Sequence, residues 1–145
     1  MLLDKQLMFS DAQVVTVTAV STHVIDVGLT KDVGIPDGEL LIFAKVDGVA
    51  VTAVGAATVT VTLETDDNVA FSTPTVLFTT IAIPKATLVA GYFLVAKALP
   101  RGCEQFLRLN YTVATGPLTA GTVTAGIVGA IDFYKTFPDA LSYSP

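Results

Sequence analysis

The sequence predicts an all-β domain, and three observations carry that reading. Apolar and polar residues alternate, Val and Thr dominate the alternating runs, and turn-forming residues interrupt them at regular intervals. The clearest run is Thr58 to Glu64, where Val59, Val61 and Leu63 interleave with Thr58, Thr60, Thr62 and Glu64. Successive side chains of a strand point to opposite faces, so this run has one core face and one wet face. The branched β-carbons of Val and Thr fit a pleated sheet better than a helix.

In chain order, Leu2 to Phe9 is too short for more than a single helical turn. Gln13 to Val20 is apolar on both sides and reads as a strand covered on two faces, and His23 to Val27 is a shorter strand. Leu40 to Val46 and Thr75 to Ile83 repeat the greasy pattern around Thr58 to Glu64. Thr87 to Tyr92 is a second single-turn candidate, and Tyr92 to Ala98, Gln105 to Ala114 and Thr122 to Ile131 complete about eight strands. Between them stand Pro36-Asp37-Gly38, Asp47-Gly48, Asp66-Asp67-Asn68, Pro100-Arg101-Gly102 and Thr115-Gly116-Pro117, which supply fixed φ, left-handed positions and side-chain caps. Turns at intervals of roughly 8–12 residues fit a β-sandwich or a closed barrel. With no internal repeat or linker, residues 1–145 form one domain.

Its two ends differ from the middle. Residues 1–9 carry Leu2, Leu3, Leu7, Met8 and Phe9, and residues 132–145 carry Phe133, Tyr134, Phe137, Leu141 and Tyr143. Termini usually fray unless something ties them down. These apolar arms either dock on a neighbouring subunit or fold back over their own domain.

Composition narrows the function. The 145 residues are 52% hydrophobic and 14% charged, with net charge -5, which excludes a disordered chain. A pI near 4.5 argues against nucleic acid, whose phosphates attract clustered Lys and Arg. The mean hydropathy of +0.66 raises a membrane question, but no stretch approaches the ~18–20 apolar residues of a spanning helix. Met1-Leu2-Leu3-Asp4-Lys5-Gln6 lacks the basic and apolar regions of a secretory signal, so export is not expected. The excess hydrophobicity instead reads as apolar surface covered in part by other protein chains.

No familiar catalytic motif is present, and the expectation is a protein without enzymatic activity, cofactor or metal. His23, the one histidine, reads as a partly exposed strand-end residue, because a base without a nucleophile or orienting partner has no reaction to assist. Cys103 follows the Pro-Arg-Gly turn and reads as an isolated thiol; Arg101 alone is a weak thiolate stabiliser. Glu64, Asp66 and Asp67 lack the alternating ligand spacing of an EF-hand and read as a solvated turn. Lys97, Arg101 and Arg108 form a basic group, either ordinary charges around a turn or a contact for an acidic partner surface. Asn110-Tyr111-Thr112 matches a glycosylation sequon by coincidence, inside an expected strand.

Four stretches carry a resemblance. They are Leu3-Asp4-Lys5-Gln6-Leu7-Met8-Phe9-Ser10-Asp11-Ala12-Gln13, ETDDNVAFSTPTVL from Glu64, LPRGCEQFLRLNYTV from Leu99, and GPLTAGTVTAGIV from Gly116. In this order and spacing, up to about Ile131, the chain resembles the small capsid cement proteins of tailed bacteriophages, the type known from a Bordetella phage. The resemblance implies a jelly-roll β-sandwich on the outer face of the phage head that joins neighbouring major capsid protein subunits. It implies a virion protein, made in the host cytoplasm and oligomeric around a local symmetry axis, with no nucleic acid or membrane partner. The expected interface residues are Leu2, Leu3, Leu7, Met8, Phe9, Arg101, Arg108, Phe133, Tyr134, Phe137 and Tyr143. A carbohydrate- or ligand-binding sandwich is the alternative, disfavoured by loops without Trp and with few aromatics; a cupin-type metalloenzyme would need more than one His.

Overall fold

The computed structural model describes residues 3–28 and 40–129, and within them a 3-10 turn at Lys5–Leu7 precedes twelve strands. These are β1 (Met8–Val14), β2 (Ala19–Val20), β3 (Ile25–Asp26), β4 (Leu41–Val46), β5 (Thr52–Ala53) and β6 (Thr58–Asp66). They continue with β7 (Thr75–Thr79), β8 (Ile83–Pro84), β9 (Phe93–Ala98), β10 (Phe106–Ala114), β11 (Leu118–Ala120) and β12 (Thr122–Val128). Sheet one has the order β1-β12-β4-β9; sheet two has the order β2-β10-β6-β7, with β3 also on β10 and β8 also on β6. A short β5–β11 ladder stands apart from both. All pairings are antiparallel. No helix among the described residues is long and apolar enough to cross a membrane.

The two sheets form a β-sandwich around one core, and sequence alternation decides which residues enter it. Val59, Val61 and Leu63 of β6 and Leu107, Leu109 and Tyr111 of β10 face Ile42, Ala44 and Val46 of β4 and Val123, Ala125 and Ile127 of β12 in one buried cluster. In sheet two, Val61 sits opposite Tyr111 and Leu63 opposite Leu109; in sheet one, Ala44 sits opposite Ala125 and Ile42 opposite Ile127. A single register slip would turn each of these rows to solvent.

Hydroxyl bonds lock the layers. Tyr111, in sheet two, and Ser10, in sheet one, are both fully buried with their side-chain oxygens 2.8 Å apart. Ser10 Oγ donates to Gln13 Oε1 at 2.7 Å, so the Tyr111 hydroxyl is the donor to Ser10. Gln13 completes the chain: its Oε1 accepts from the Thr22 amide and its Nε2 donates to the Val20 carbonyl. Burial pushes the Tyr111 phenol far above its ordinary value.

The strand boundaries correct three expectations. Residues 13–20 are not one strand: β1 ends at Val14, and β2 begins at Ala19 in the other sheet. The Val15 amide still bonds the Gly121 carbonyl, one step past the Val14–Thr122 pair, and the chain crosses to the other sheet only after it. Residues 75–83 are broken at Thr80, whose Oγ1 takes the Val61 amide at 3.0 Å and interrupts the ladder to β6 between β7 and β8. Within 23–27 only Ile25–Asp26 pairs. The single turn expected near the N-terminus is Lys5–Leu7, capped by Asp4, whose Oδ1 accepts from the Gln6 amide; Met8 and Phe9 belong to β1.

That turn packs on the outer face of sheet one. A Cβ on Gly126 would lie 2.8 Å from the Leu7 carbonyl oxygen and 3.0 Å from Met8 Sδ, so only glycine lets the segment approach there. Met8, Phe43 and Val128 are buried together on this face, with Leu41 and Phe93 half-buried beside them.

Two outcomes follow from this packing. Replacing Gly126→Val lowers unfolding free energy by about 1–3 kcal/mol in urea titration, through displacement of the Lys5–Leu7 turn. Because the folded state holds Tyr111 protonated, its contribution is complete below the unfolded phenol value of ~10 and falls as pH rises above it. Tyr111→Phe therefore costs about 1 kcal/mol at neutral pH and flattens the alkaline fall in melting temperature.

Candidate functional site

Loops joining strands of opposite sheets collect at the two ends of the sandwich, and these ends and the outer sheet faces are the surfaces available to a partner. On the outer face of sheet two, Thr58, Thr60, Thr62 and Glu64 of β6 stand beside Arg108, Asn110 and Thr112 of β10. Glu64 lies directly opposite Arg108, whose Nε donates to Glu64 Oε2 at 2.7 Å; Asn110 Nδ2 donates to Oε1 at 3.3 Å. The guanidinium also lies 4.1 Å from the Phe71 ring centroid. Phe71 reaches that position through a backbone φ of +50°, uncommon for a bulky residue.

The loop after β6 builds one end. Asp66 is buried and uses both carboxylate oxygens: Oδ1 accepts from the Asn68 amide and Oδ2 from the Thr73 amide, each at 2.9 Å. The Asn68 amide is the main cause of a lowered Asp66 pKa, against desolvation, with Thr73 adding to the lowering. Asn68 Oδ1 takes the Ala70 amide, and Asn68 O takes the Phe71 amide. From the loop before β10, Glu104 brings a carboxylate to within 4.8 Å of Asp66 and Asp67. The acidic group is therefore Asp66, Asp67 and Glu104. Glu64 has turned to Arg108, and Glu104 was not legible because it joins the group only through the β6–β10 pairing.

The opposite end has another chemistry. It is made by residues 14–18, 47–57, 80–91 and 115–122, whose only charged residues are Asp47 and Lys85. Both are engaged: Asp47 Oδ2 accepts from Thr124 Oγ1 at 3.1 Å, and Lys85 Nζ donates to the Ala53 carbonyl. Its loops are tied to one another by backbone bonds. Val51 donates to Leu88, Leu118 to Thr16 and Thr122 to Val49, and the β5–β11 ladder pairs Ala53 with Leu118. A shallow open depression lined by Val17, Thr18, Val113, Gly116 and Pro117 lies on its flank.

The residues singled out from sequence fall in different environments. Leu3 is exposed, Leu7 packs half-buried against the core, and Met8 and Phe9 are buried within the chain's own fold. Arg101 is exposed at its turn, whereas Arg108 is engaged by Glu64 and Phe71. Lys97 Nζ stands 4.6 Å from the Phe78 ring centroid. Leu2, Phe133, Tyr134, Phe137 and Tyr143 lie outside the described residues. His23 is exposed, with its backbone amide bonded to the Phe9 carbonyl. Cys103 is buried, its Sγ 3.2 Å from the Pro100 carbonyl, and burial pushes the thiol up.

Residues 9–127 match the model of the Bbp16 family, which is named after a Bordetella phage protein, and the chain is accordingly phage-related. No curated protein matches the chain.

The Cys103 environment has a measurable consequence. With its thiolate disfavoured by burial, alkylation by iodoacetamide at pH 8 proceeds about tenfold or more slower in the native protein than in denaturant. Equal rates in the two conditions would show that the 100–103 turn opens freely.

Proposed function

The chain belongs to the Bbp16 family, and from that premise we propose that it is a non-enzymatic capsid cement protein. It binds the outer surface of a phage head and bridges neighbouring major capsid protein subunits. The observation that carries this reading is the family match over residues 9–127, which takes in both sheets and all the loops that join them. A sandwich with exposed apolar side chains and an end that carries few charges supports it, since such a surface favours contact with protein over contact with phosphate or headgroups.

The sandwich is a jelly roll in this reading. With β2–β3 and β7–β8 each counted as one interrupted strand, the strands run 1-8-3-6 in sheet one and 2-7-4-5 in sheet two. Every connection except that between the fourth and fifth strands then passes from one sheet to the other. Such a body resists shear between its layers, because sliding them would expose the shared core.

Rigidity matters to the mechanism. A clip that touches two subunits stabilises their contact only if it cannot stretch when they separate. Its second contact is then made at high effective concentration, and weak individual contacts suffice. Copies grouped around a local symmetry axis repeat the contact at each subunit. The protein acts from the virion exterior after synthesis in the host cytoplasm.

Sedimentation and heat challenge test the proposal. Shells of the cognate major capsid protein lacking this chain take it up, and their rupture temperature rises. Isolated capsid subunits bind it roughly 10²–10⁴-fold less tightly than assembled shells do. Recovery of the chain entirely in the supernatant, or no change in rupture temperature with shells fully occupied, would sink the cement reading.

A further inference from the structure

Among the described residues the two sheets end in four strand edges, and three of these are blunted. The β1 ladder carries two register shifts, with Ala12 at a left-handed φ of +47° inside the second. Beside it in sheet two, β2 and β3 pair for two residues each, and the Gln13 side chain takes up the Val20 carbonyl and the Thr22 amide. On the far side of sheet two, β7 holds one residue more than β6 between Phe78 and Val76 and stops at Thr79, and β8 adds only Ile83–Pro84. Bulges and very short strands turn an edge away from further pairing.

The fourth edge is β9, and it is regular at its C-terminal part. Val95, Ala96, Lys97 and Ala98 pair in unbroken register with Ala44, Phe43, Ile42 and Leu41, and the Leu99 amide bonds the Leu40 carbonyl at 2.8 Å. Bonds to one neighbour alternate along an antiparallel strand, so Leu99 and Lys97 turn their backbone groups to β4 while those of Ala96 and Ala98 point outward. No described strand takes them up. Lys97 stands between the two. It shares a face with its pair mate Ile42, which is fully buried, and so belongs to the core-facing row of sheet one. Its side chain crosses to β7, where Nζ lies 4.6 Å from the Phe78 ring centroid, and it remains exposed at the seam between the sheets.

We propose that the β9 edge is a strand-pairing site complementary to a second copy of itself, and that the charge of Lys97 holds the two copies apart. Antiparallel pairing about a two-fold axis at Lys97 sets Ala96 of each copy against Ala98 of the other, and every outward amide and carbonyl of these residues finds a mate. The same register places Lys97 directly opposite the partner's Lys97, in the closely spaced pair that shares no hydrogen bonds. Like charges directly opposite one another destabilise a ladder, and here each would also lose water. An inward-pointing charge on an edge strand blocks pairing in this way. The contact with Phe78 favours keeping the ammonium at the seam, where it guards the edge.

Sedimentation velocity of the full chain reads self-association, and circular dichroism reads the fold. Lys97→Gln, which keeps the stem and removes the charge, is expected to self-associate at least about tenfold more tightly than the wild type. Lys97→Glu alone matches the wild type, since like charges still meet. An equal mixture of Lys97→Glu and wild type forms a mixed dimer, because opposite charges then face each other across the axis. Ala96→Pro in the Lys97→Gln chain removes an outward amide without touching the bonds to β4 and cancels its gain. Lys97→Gln sedimenting like the wild type overturns the proposal, as does a mixture that stays unpaired. Tighter association of Lys97→Glu alone assigns the restraint to the Phe78 contact, and association that survives Ala96→Pro assigns it to another surface; either result also overturns the proposal. No shell enters these measurements, so their failure leaves the cement reading standing.

Discussion

One constraint organises the molecule: two sheets share a single core, so each central strand must present a row of apolar side chains to the interior. The β6–β10 ladder is where this constraint is strictest. The strands pair without a register shift from Asp66 opposite Phe106 to Thr58 opposite Ala114, and no bulge allows a residue to change sides. Val59, Val61, Leu63, Leu109 and Tyr111 are committed to the interior, and the threonines between them to the outside. The bond from Tyr111 to Ser10 then fixes one sheet against the other, because neither hydroxyl has water to fall back on.

From that arrangement the division of surfaces follows. Chain crossings between sheets place most loops at the ends, and the two ends solve their backbone hydrogen bonding differently. At the charged end, carboxylate and amide side chains cap the loop: Asp66 and Asn68 together hold the amides of Asn68, Ala70 and Thr73. At the other end backbone pairs with backbone through β5–β11 and its neighbouring bonds, and side chains are free to be apolar. That difference gives the phage-related sandwich two chemically distinct ends.

Much of the architecture was legible in the alternation of the chain. The runs at 58–64 and 105–114 became β6 and β10 within a residue or two, because a strand with one wet face announces itself locally. Of the runs apolar on both sides, 40–46 became β4, with Phe43 buried on its outer face, and the others were harder. In 13–20 and 75–83 the same greasy composition continues across a point where the chain changes sheet or breaks its pairing, and nothing in the periodicity marks it. The environment of Arg108 was also hidden: Glu64 lies 44 positions away, and only the register of β10 on β6 sets the two opposite one another. At the N-terminus, Leu7, Met8 and Phe9 looked alike, yet Phe9 enters the main core and Met8 the outer apolar group while Leu7 lies between.

The amino-acid order by itself determined the all-β class, the faces of its best strands, the turns that punctuate them and a scarcity of charge suited to protein contact. These properties depend on neighbours one or two residues apart, and such neighbours are visible along the chain. Tertiary structure alone decided which strand joins which sheet, that Glu104 rather than Glu64 stands with Asp66 and Asp67, and that four distant, sparsely charged stretches meet at one end. Those outcomes depend on pairings between residues far apart in the chain, and hydrophobic patterning constrains which face a residue takes without saying which partner it meets.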